Sequence, residues 1–467
     1  MNFKKVALIT ALCVVTVFCF FRVYKVYLFV QLNPVERPNI LVVSVCSMRA
    51  NMLSLYGAVR KDQAPALEKF FAESHFVFQN AFNGMGWTNI SNYTKANLTS
   101  GSFFFSLYEN TGHDSRDQVY RVPTRRSVRR LGYFVNDSDF EKDHVATTKY
   151  VEEELRKPRF KPFFAVVHYK YLHYPLIDRF NSDAHWDRHL DKEERDLVVE
   201  YLSHPEKYYQ KLSFLLFLAN NPYHVLAHPK YKDQKQATDP ASLRKLLGLM
   251  TNPDHLQEWK ASAGYDRDLQ ILEKIYTANM NYLDQLLEPL LNLWGDEKLR
   301  QNTVVVFAAD HGETHMERGE LTHGMSLWDP MLRVPLAVRF PDSGRQRVVK
   351  EQIDHVTVSH LLYDVITGAR SPAAFEKALE KRLPEVIIAR NCNNDLRGLR
   401  FKNKYKYFVR LRDGERFLFD LENDPGELKN IAPESPEEVA RMEGLYWQNL
   451  GSITNVASNA CPPTLAQ

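Results

Sequence analysis

The stretch Asn302-Thr303-Val304-Val305-Val306-Phe307-Ala308-Ala309-Asp310-His311-Gly312-Glu313 decides how this chain is read. From Val304 to Ala309 it is apolar and rich in β-branched side chains, the pattern of a buried strand. The Asp-His-Gly that follows reads as the turn at the strand's carboxyl end. In open α/β sheets, ligands bind beyond that end. An Asp carboxylate and a neutral imidazole delivered there suit a divalent transition metal such as zinc or manganese, which makes Asp310 and His311 candidate ligands.

Other segments repeat the strand-then-polar-residue pattern. Pro38-Asn39-Ile40-Leu41-Val42-Val43-Ser44-Val45 is a nearly continuous apolar run ending at Cys46-Ser47. Pro162-Phe163-Phe164-Ala165-Val166-Val167 is a second, leading to His168 and then His173. Ala64 to Phe71 reads as a helix, with a short strand near Phe76-Val77-Phe78 after it. Tyr276 to Trp294 has helical spacing, with apolar residues at Met280, Leu283, Leu286, Leu287 and Leu290. Strands alternating with helices predict an α/β domain whose central, mostly parallel sheet is sandwiched by helices. Residues 183–266 are polar, charged and helical in pattern, and read as an insertion. Beyond Pro384 the pieces become shorter: Val386-Ile387-Ile388, Tyr405-Lys406-Tyr407-Phe408-Val409 and Arg416-Phe417-Leu418-Phe419 predict a small antiparallel sheet. The expected organisation is 1–37 as membrane anchor and linker, 38–383 as the α/β domain, and 384–467 as a C-terminal subdomain.

Composition bounds the function. The chain has 467 residues, 44% hydrophobic and 25% charged, which is ordinary for a globular protein. Its net charge of +3 is near neutral for this size and gives no basis for a nucleic-acid partner. The densest basic cluster, Arg121, Arg125, Arg126, Arg129 and Arg130, reads as a solvated helix face. At the N-terminus, Lys4 and Lys5 precede an apolar run from Val6 to Phe21, which resumes at Val26-Tyr27-Leu28-Phe29-Val30 after Arg22 and Lys25. With tilt and snorkelling this spans a bilayer once, and no small-x-small cleavage site follows closely. The expectation is an uncleaved anchor, with the soluble part periplasmic, extracellular or lumenal. The five cysteines, Cys13, Cys19, Cys46, Cys392 and Cys461, make no disulfide framework, though pairing of Cys392 with Cys461 stays open. Sequons stand at Asn89, Asn92, Asn97 and Asn136.

In this order, the segments resemble the sulfatase family of the alkaline phosphatase superfamily, in register from about Pro38 to Ala432. The resemblance also takes in Thr322-His323-Gly324-Met325-Ser326-Leu327-Trp328, Leu332-Arg333-Val334-Pro335-Leu336, and Leu418-Phe419-Asp420-Leu421-Glu422-Asn423-Asp424-Pro425-Gly426-Glu427, which is similar to the family's C-terminal signature. It implies a metal-assisted hydrolase of sulfate or phosphate esters acting on an anionic substrate, a sulfated glycan or a phospholipid-like ester. It also implies one divalent metal ion: zinc, manganese or calcium.

Carried over by position, the resemblance puts Ser91 at the nucleophile, in Ser91-Asn92-Tyr93-Thr94-Lys95-Ala96-Asn97-Leu98-Thr99-Ser100-Gly101, and Lys95 at the family's Arg. Tyr93 and Thr94 replace the Pro and Ser that mark the first residue for oxidation to formylglycine, so Ser91 is expected to stay a serine. An unmodified hydroxyl can attack phosphorus when a metal lowers its pKa. Thr88, after Trp87, is the alternative nucleophile. Lys95, His173 and His323 are expected around the ester's oxygens, where they would stabilise transition-state charge. His315 reads as a surface residue, and Tyr171 and Tyr174 as packing.

Two departures from the family pattern affect function. Cys46 and Ser47 stand where the first strand usually ends in carboxylates; sulfur shifts preference from calcium or magnesium towards zinc, with Cys46 joining Asp310 and His311 as a ligand. The Gly-Lys-x-His segment is absent after Gly132-Tyr133. Three readings therefore remain: the hydrolase, a catalytically inactive sulfatase-like binding protein, and a phosphotransferase like the phosphoethanolamine and glycerol-phosphate transferases.

Overall fold

The computed structural model describes residues 37–58, 63–84, 134–139, 144–158, 162–169, 171–173, 176, 186–203, 253–341, 344–391 and 395–450. The expected N-terminal span, Thr88, Ser91, Lys95, the arginine cluster, Tyr174, Cys392 and Cys461 lie outside these residues. Among the described residues no helix is long and apolar enough to cross a membrane.

The main sheet contains β1 (Asn39–Val45), β2 (Phe76–Phe82), β3 (Phe134–Asp139), β4 (Phe163–Tyr169) and β5 (Thr303–Ala309). A two-stranded ribbon follows, β6 (Thr314–His315) with β7 (Leu321–Thr322), and then β8 (Arg333–Val334), β9 (Leu336–Arg339) and β10 (Arg347–Asp354). The order across the sheet is β10-β2-β9-β5-β1-β4-β3, with β8 beside β2. The pairs β1/β4, β1/β5, β3/β4 and β2/β10 are parallel. The chain returns through β9 antiparallel to both β5 and β2, and the short β8 also runs antiparallel to β2, so the expected mostly parallel sheet carries a reversed segment near its middle.

Every residue of β4 and β5, and all but the first of β1, is buried, so both faces of these strands are covered. The longer helices among the described residues are α1 (Pro65–Glu73), α2 (His144–Arg156), α3 (Lys192–Ser203), α4 (Pro253–Lys260), α5 (Tyr265–Leu291), α6 (His355–Thr367), α7 (Pro372–Glu380) and α8 (Pro436–Leu450). Ile271, Leu272, Ile275, Met280, Leu283 and Leu287 of α5 join Val42, Val166 and Val306 in one hydrophobic cluster. The helix starts well before Tyr276, because its first turns bury Asp268, Ile271 and Leu272, an amphipathic stripe that leading charges obscure in the sequence. Asp284 of α5 also accepts from the backbone N–H groups of Ala66 and Leu67, at 2.8 and 2.9 Å, satisfying donors that the first turn of α1 leaves without an intrahelical acceptor. Of the expected insertion, α3 and α4 are helical as the pattern suggests.

The C-terminal sheet is antiparallel in the order β11 (Val386–Arg390), β12 (Leu396–Phe401), β13 (Tyr405–Arg410) and β14 (Glu415–Asp420), with α8 packed against it. Gly398 in β12 is required there, since a Cβ would lie 2.0 Å from the Tyr407 carbonyl oxygen of β13. A buried charge cluster joins this sheet to the main domain. Asp329 accepts two bonds from Arg400 (2.7 and 2.9 Å) and one from Lys406 (2.8 Å), and Lys406 also pairs with Glu427. Burial alone would raise the Asp329 carboxyl, but Arg400 and Lys406 outweigh it and hold it well below the usual carboxylate range.

Two stability outcomes follow from this packing. Lys406→Ala removes the cation that Asp329 and Glu427 share, where burial and Asp329 already push the Glu427 carboxyl up to about 7, and should cost about 3–5 kcal/mol in denaturant unfolding. A cost below 1 kcal/mol would show that the cluster is solvated. Gly312→Ala should cost about 1–3 kcal/mol, because its Cβ would meet the Pro330 carbonyl oxygen at 2.1 Å.

Candidate active site

Parallel register assembles the site. Ser44 of β1 is paired with His168 of β4 and with Ala308 of β5, and the ladder runs on past the strand ends. Cys46 N–H donates to the Tyr169 carbonyl at 2.7 Å, and Asp310 N–H donates to the Val45 carbonyl at 3.0 Å. Side chains two apart on a strand share a face. Ser44 and Cys46, His168, and Ala308 and Asp310 are thereby brought to one side of the sheet at its carboxyl end.

The turn after β1 is tightly held. Ser47 adopts a left-handed backbone (φ 60°), unusual for a side-chain-bearing residue and worth roughly 1–3 kcal/mol of strain. Tyr276 of α5 secures it, donating its hydroxyl to the Ser47 carbonyl at 2.7 Å and accepting from Arg49 N–H at 3.0 Å. The turn after β5 is clamped by Gly312 N–H and Glu313 N–H, which donate to the carbonyls of Met331 and Pro330.

Cys46, His168, Asp310 and His311 are all buried there. Single donor atoms of Cys46, His168 and Asp310 lie within 4.8 Å of one another. His311 Nε2 stands 3.7 Å from Cys46 Sγ and 3.7 Å from Asp310 Oδ2, and His168 Nε2 stands 3.8 Å from the same oxygen. Burial lowers the His311 pKa and outweighs the pull of Asp310, favouring the neutral imidazole that can ligate. A thiol, a carboxylate and imidazole nitrogens within this distance fit a divalent cation.

Beside this group the imidazoles form a row. His323 lies 4.3 Å, ring to ring, from His311 and 4.8 Å from His173 on its other side. Glu313, fully buried, holds His323 Nδ1 at 2.9 Å. Burial would lower the His323 pKa, but Glu313 and then Asp310 outweigh it, and the imidazole is held above its ordinary value. His173 is half-buried and the His323 side chain 15% exposed, so the row runs from the interior towards solvent.

The structure thus brings together Cys46, Asp310, His311, His173 and His323, while Ser91, Lys95 and Thr88 lie outside the described residues. His168 and the tie between Glu313 and His323 were not read from the sequence; the only signal for His168 was its place at the end of an apolar strand. His315, expected at the surface, is buried instead. Its Nδ1 lies 2.7 Å from Glu273, its ring packs edge-on against Tyr276, and Arg49 pairs with both Glu273 and Glu317 next to it. The ribbon of β6 and β7 folds back over α5, which the sequence spacing does not reveal. Tyr171 is core, tilted against Tyr282 at 5.3 Å.

Comparisons with known proteins agree with this architecture. Arylsulfatase K of Gallus gallus is 25% identical over 208 residues, 40% of this chain and 38% of that protein. Choline-sulfatase of Rhizobium meliloti (strain 1021) is 26% identical over 192 residues, 36% of this chain and 35% of that protein. The chain therefore spans less than two fifths of the length of these curated relatives. A protein solved in complex with its substrate D-glucosamine-2-N,6-O-disulfate superposes with a TM-score of 0.60 at 16% identity, over 91% of this chain and all of that one. Phosphonate monoester hydrolase of Agrobacterium radiobacter superposes with a TM-score of 0.56 at 15% identity, over 89% and 95% of the two chains. At such identities these likenesses show the fold. The Sulfatase family model matches residues 84–369, more than half of the sequence, and the chain belongs to the sulfatase family.

Proposed function

We propose that the protein is a metal-assisted hydrolase of sulfate or phosphate esters, held at a membrane by its N-terminal apolar segment with the folded part outside the cytoplasm. The observation that carries the reading is the row of imidazoles, His311, His323 and His173, running outward from a buried set of metal-type donors. Cys46, Asp310 and His311 would hold the cation. When bound, it would offset charge on the ester and lower the pKa of a hydroxyl nucleophile.

The chain's own residues supply the rest. Ser91 is the proposed nucleophile, and Lys95 the cation that offsets charge on the ester oxygens. His323, with Nδ1–H donated to Glu313, keeps Nε2 to carry a proton to the leaving oxygen. His173, on the solvent side of the row, would bind the anion. A sulfated glycan is the preferred substrate class, supported by the sulfated glucosamine bound to the solved structure, while the choline-sulfatase match supports a sulfate ester in general.

A second reading is favoured by Cys46-Ser47 at the end of β1, where relatives carry carboxylates: a sulfatase-like protein that binds an anionic glycan or lipid without turning it over. Assays of the full chain on aryl sulfate and aryl phosphate separate the two. Turnover of at least one is expected, and none after metal reloading would leave only binding. A phospho-intermediate resolved by an alcohol rather than by water would indicate a transferase.

His323→Gln should lower kcat by about 10²–10⁴-fold with a smaller change in KM. Intact-peptide mass spectrometry should show residue 91 as serine, whereas a loss of two hydrogens would reveal formylglycine. Removing residues 1–30 should release the protein from sedimented membranes into the soluble fraction; a deletion variant that still sediments with them would defeat the anchor.

A further inference from the structure

We infer that His168 is a metal ligand, and that with Cys46, Asp310 and His311 it makes a four-donor sulfur, nitrogen and oxygen site selective for zinc over calcium or magnesium. The inference deepens the proposed reaction at the same site, and its readouts are metal content and spectra.

The first support is orientation. In His168, His311 and Asp310, a second polar atom of the side chain is held by a neighbour. His168 Nδ1 lies 3.1 Å from Ser44 Oγ, and His311 Nδ1 lies 2.7 Å from the Gly312 carbonyl. Asp310 Oδ1 accepts from the N–H groups of Ser47 (3.2 Å) and His311 (2.7 Å). The other donor atoms of these three side chains, His168 Nε2, Asp310 Oδ2 and His311 Nε2, lie together with Cys46 Sγ at the strand ends. Outer hydrogen bonds that fix tautomer and ring angle are the usual support of a metal site.

Spacing is the second support. His311 Nε2 lies 3.7 Å from both Cys46 Sγ and Asp310 Oδ2, and His168 Nε2 lies 3.8 Å from Asp310 Oδ2. Bond lengths of about 2.0–2.3 Å in a tetrahedron put ligand atoms roughly 3.3–3.6 Å apart, so these three pairs need to close by a few tenths of an ångström, while the Cys46, His168 and Asp310 donors lie within 4.8 Å of one another. Charge is the third. A thiolate and a carboxylate neutralise a divalent ion, and two such anions in a fully buried site would otherwise be strongly disfavoured. Calcium needs six to eight oxygen ligands and magnesium a nearly octahedral oxygen shell. Among the described residues this donor set offers one carboxylate, whereas thiolate and imidazole suit zinc.

The test uses the full chain, stripped with a chelator and dialysed against equimolar zinc, manganese, magnesium and calcium. Elemental analysis should find zinc at close to one equivalent and the others near background; preferential uptake of calcium or magnesium overturns the proposal. Loading with cobalt(II) should give the intense visible bands of a tetrahedral site, with a sulfur charge-transfer band that disappears in Cys46→Ser. The weak spectrum of a six-coordinate ion overturns it. His168→Ala should weaken zinc binding by 10²-fold or more, and Ser44→Ala by about 10-fold, with circular dichroism checking that each variant is folded. If His168→Ala misfolds, Ser44→Ala with the cobalt spectrum decides. Zinc affinity and spectrum unchanged in the folded variant would remove His168 from the site. No ester is present in these measurements, so failure of the hydrolase reading would leave their outcome untouched.

Discussion

Everything in this molecule depends on the parallel alignment of β4, β1 and β5. Because hydrogen bonding continues from Tyr169 to Cys46 and from Val45 to Asp310, three separate stretches of chain end at the same level. Side chains distant in sequence then meet without a dedicated scaffold. Burial on both faces makes the alignment rigid, since a slip of one residue would turn the polar strand ends into the hydrophobic layers. The same burial sets the electrostatics, keeping His311 neutral while Glu313 raises the pKa of His323.

A second constraint lies in the turns. Ser47 is strained, and Tyr276, Asp310 and the backbone around Arg49 hold it in place. Gly312 lets two backbone segments approach more closely than any side chain permits. Stability is thus spent where donor atoms must be held, and recovered in the apolar clusters on either side of the sheet.

Much of this architecture was legible in the sequence because it rests on local signals. Apolar runs ending in polar residues marked β1, β4 and β5, and short alternating pieces marked the C-terminal sheet. Asp310, His311 and Cys46 could be read as candidates because they directly follow strands. What stayed hidden depends on register and on chain reversal. His168 belongs to its neighbours only once β4 is aligned beside β1. The pairing of Glu313 with His323 needs the ribbon to fold back, and the same reversal buries His315 against Glu273. The antiparallel entry of β9 between β5 and β2 is likewise a matter of topology, which periodicity does not encode.

The clamp on the Asp310–Glu313 turn bears on how the protein is made. That turn is gripped by the carbonyls of Pro330 and Met331, and the adjoining Asp329 is locked by Arg400, Lys406 and, through its N–H, Glu427. All three of these partners leave the ribosome after the turn that they brace. A nascent chain can form its central strands early, yet the turn is fully braced only when the C-terminal sheet and Glu427 have emerged. Completion of the centre is thereby tied to the C-terminal sheet, and a product terminated before it would carry the donor atoms without the frame that holds them.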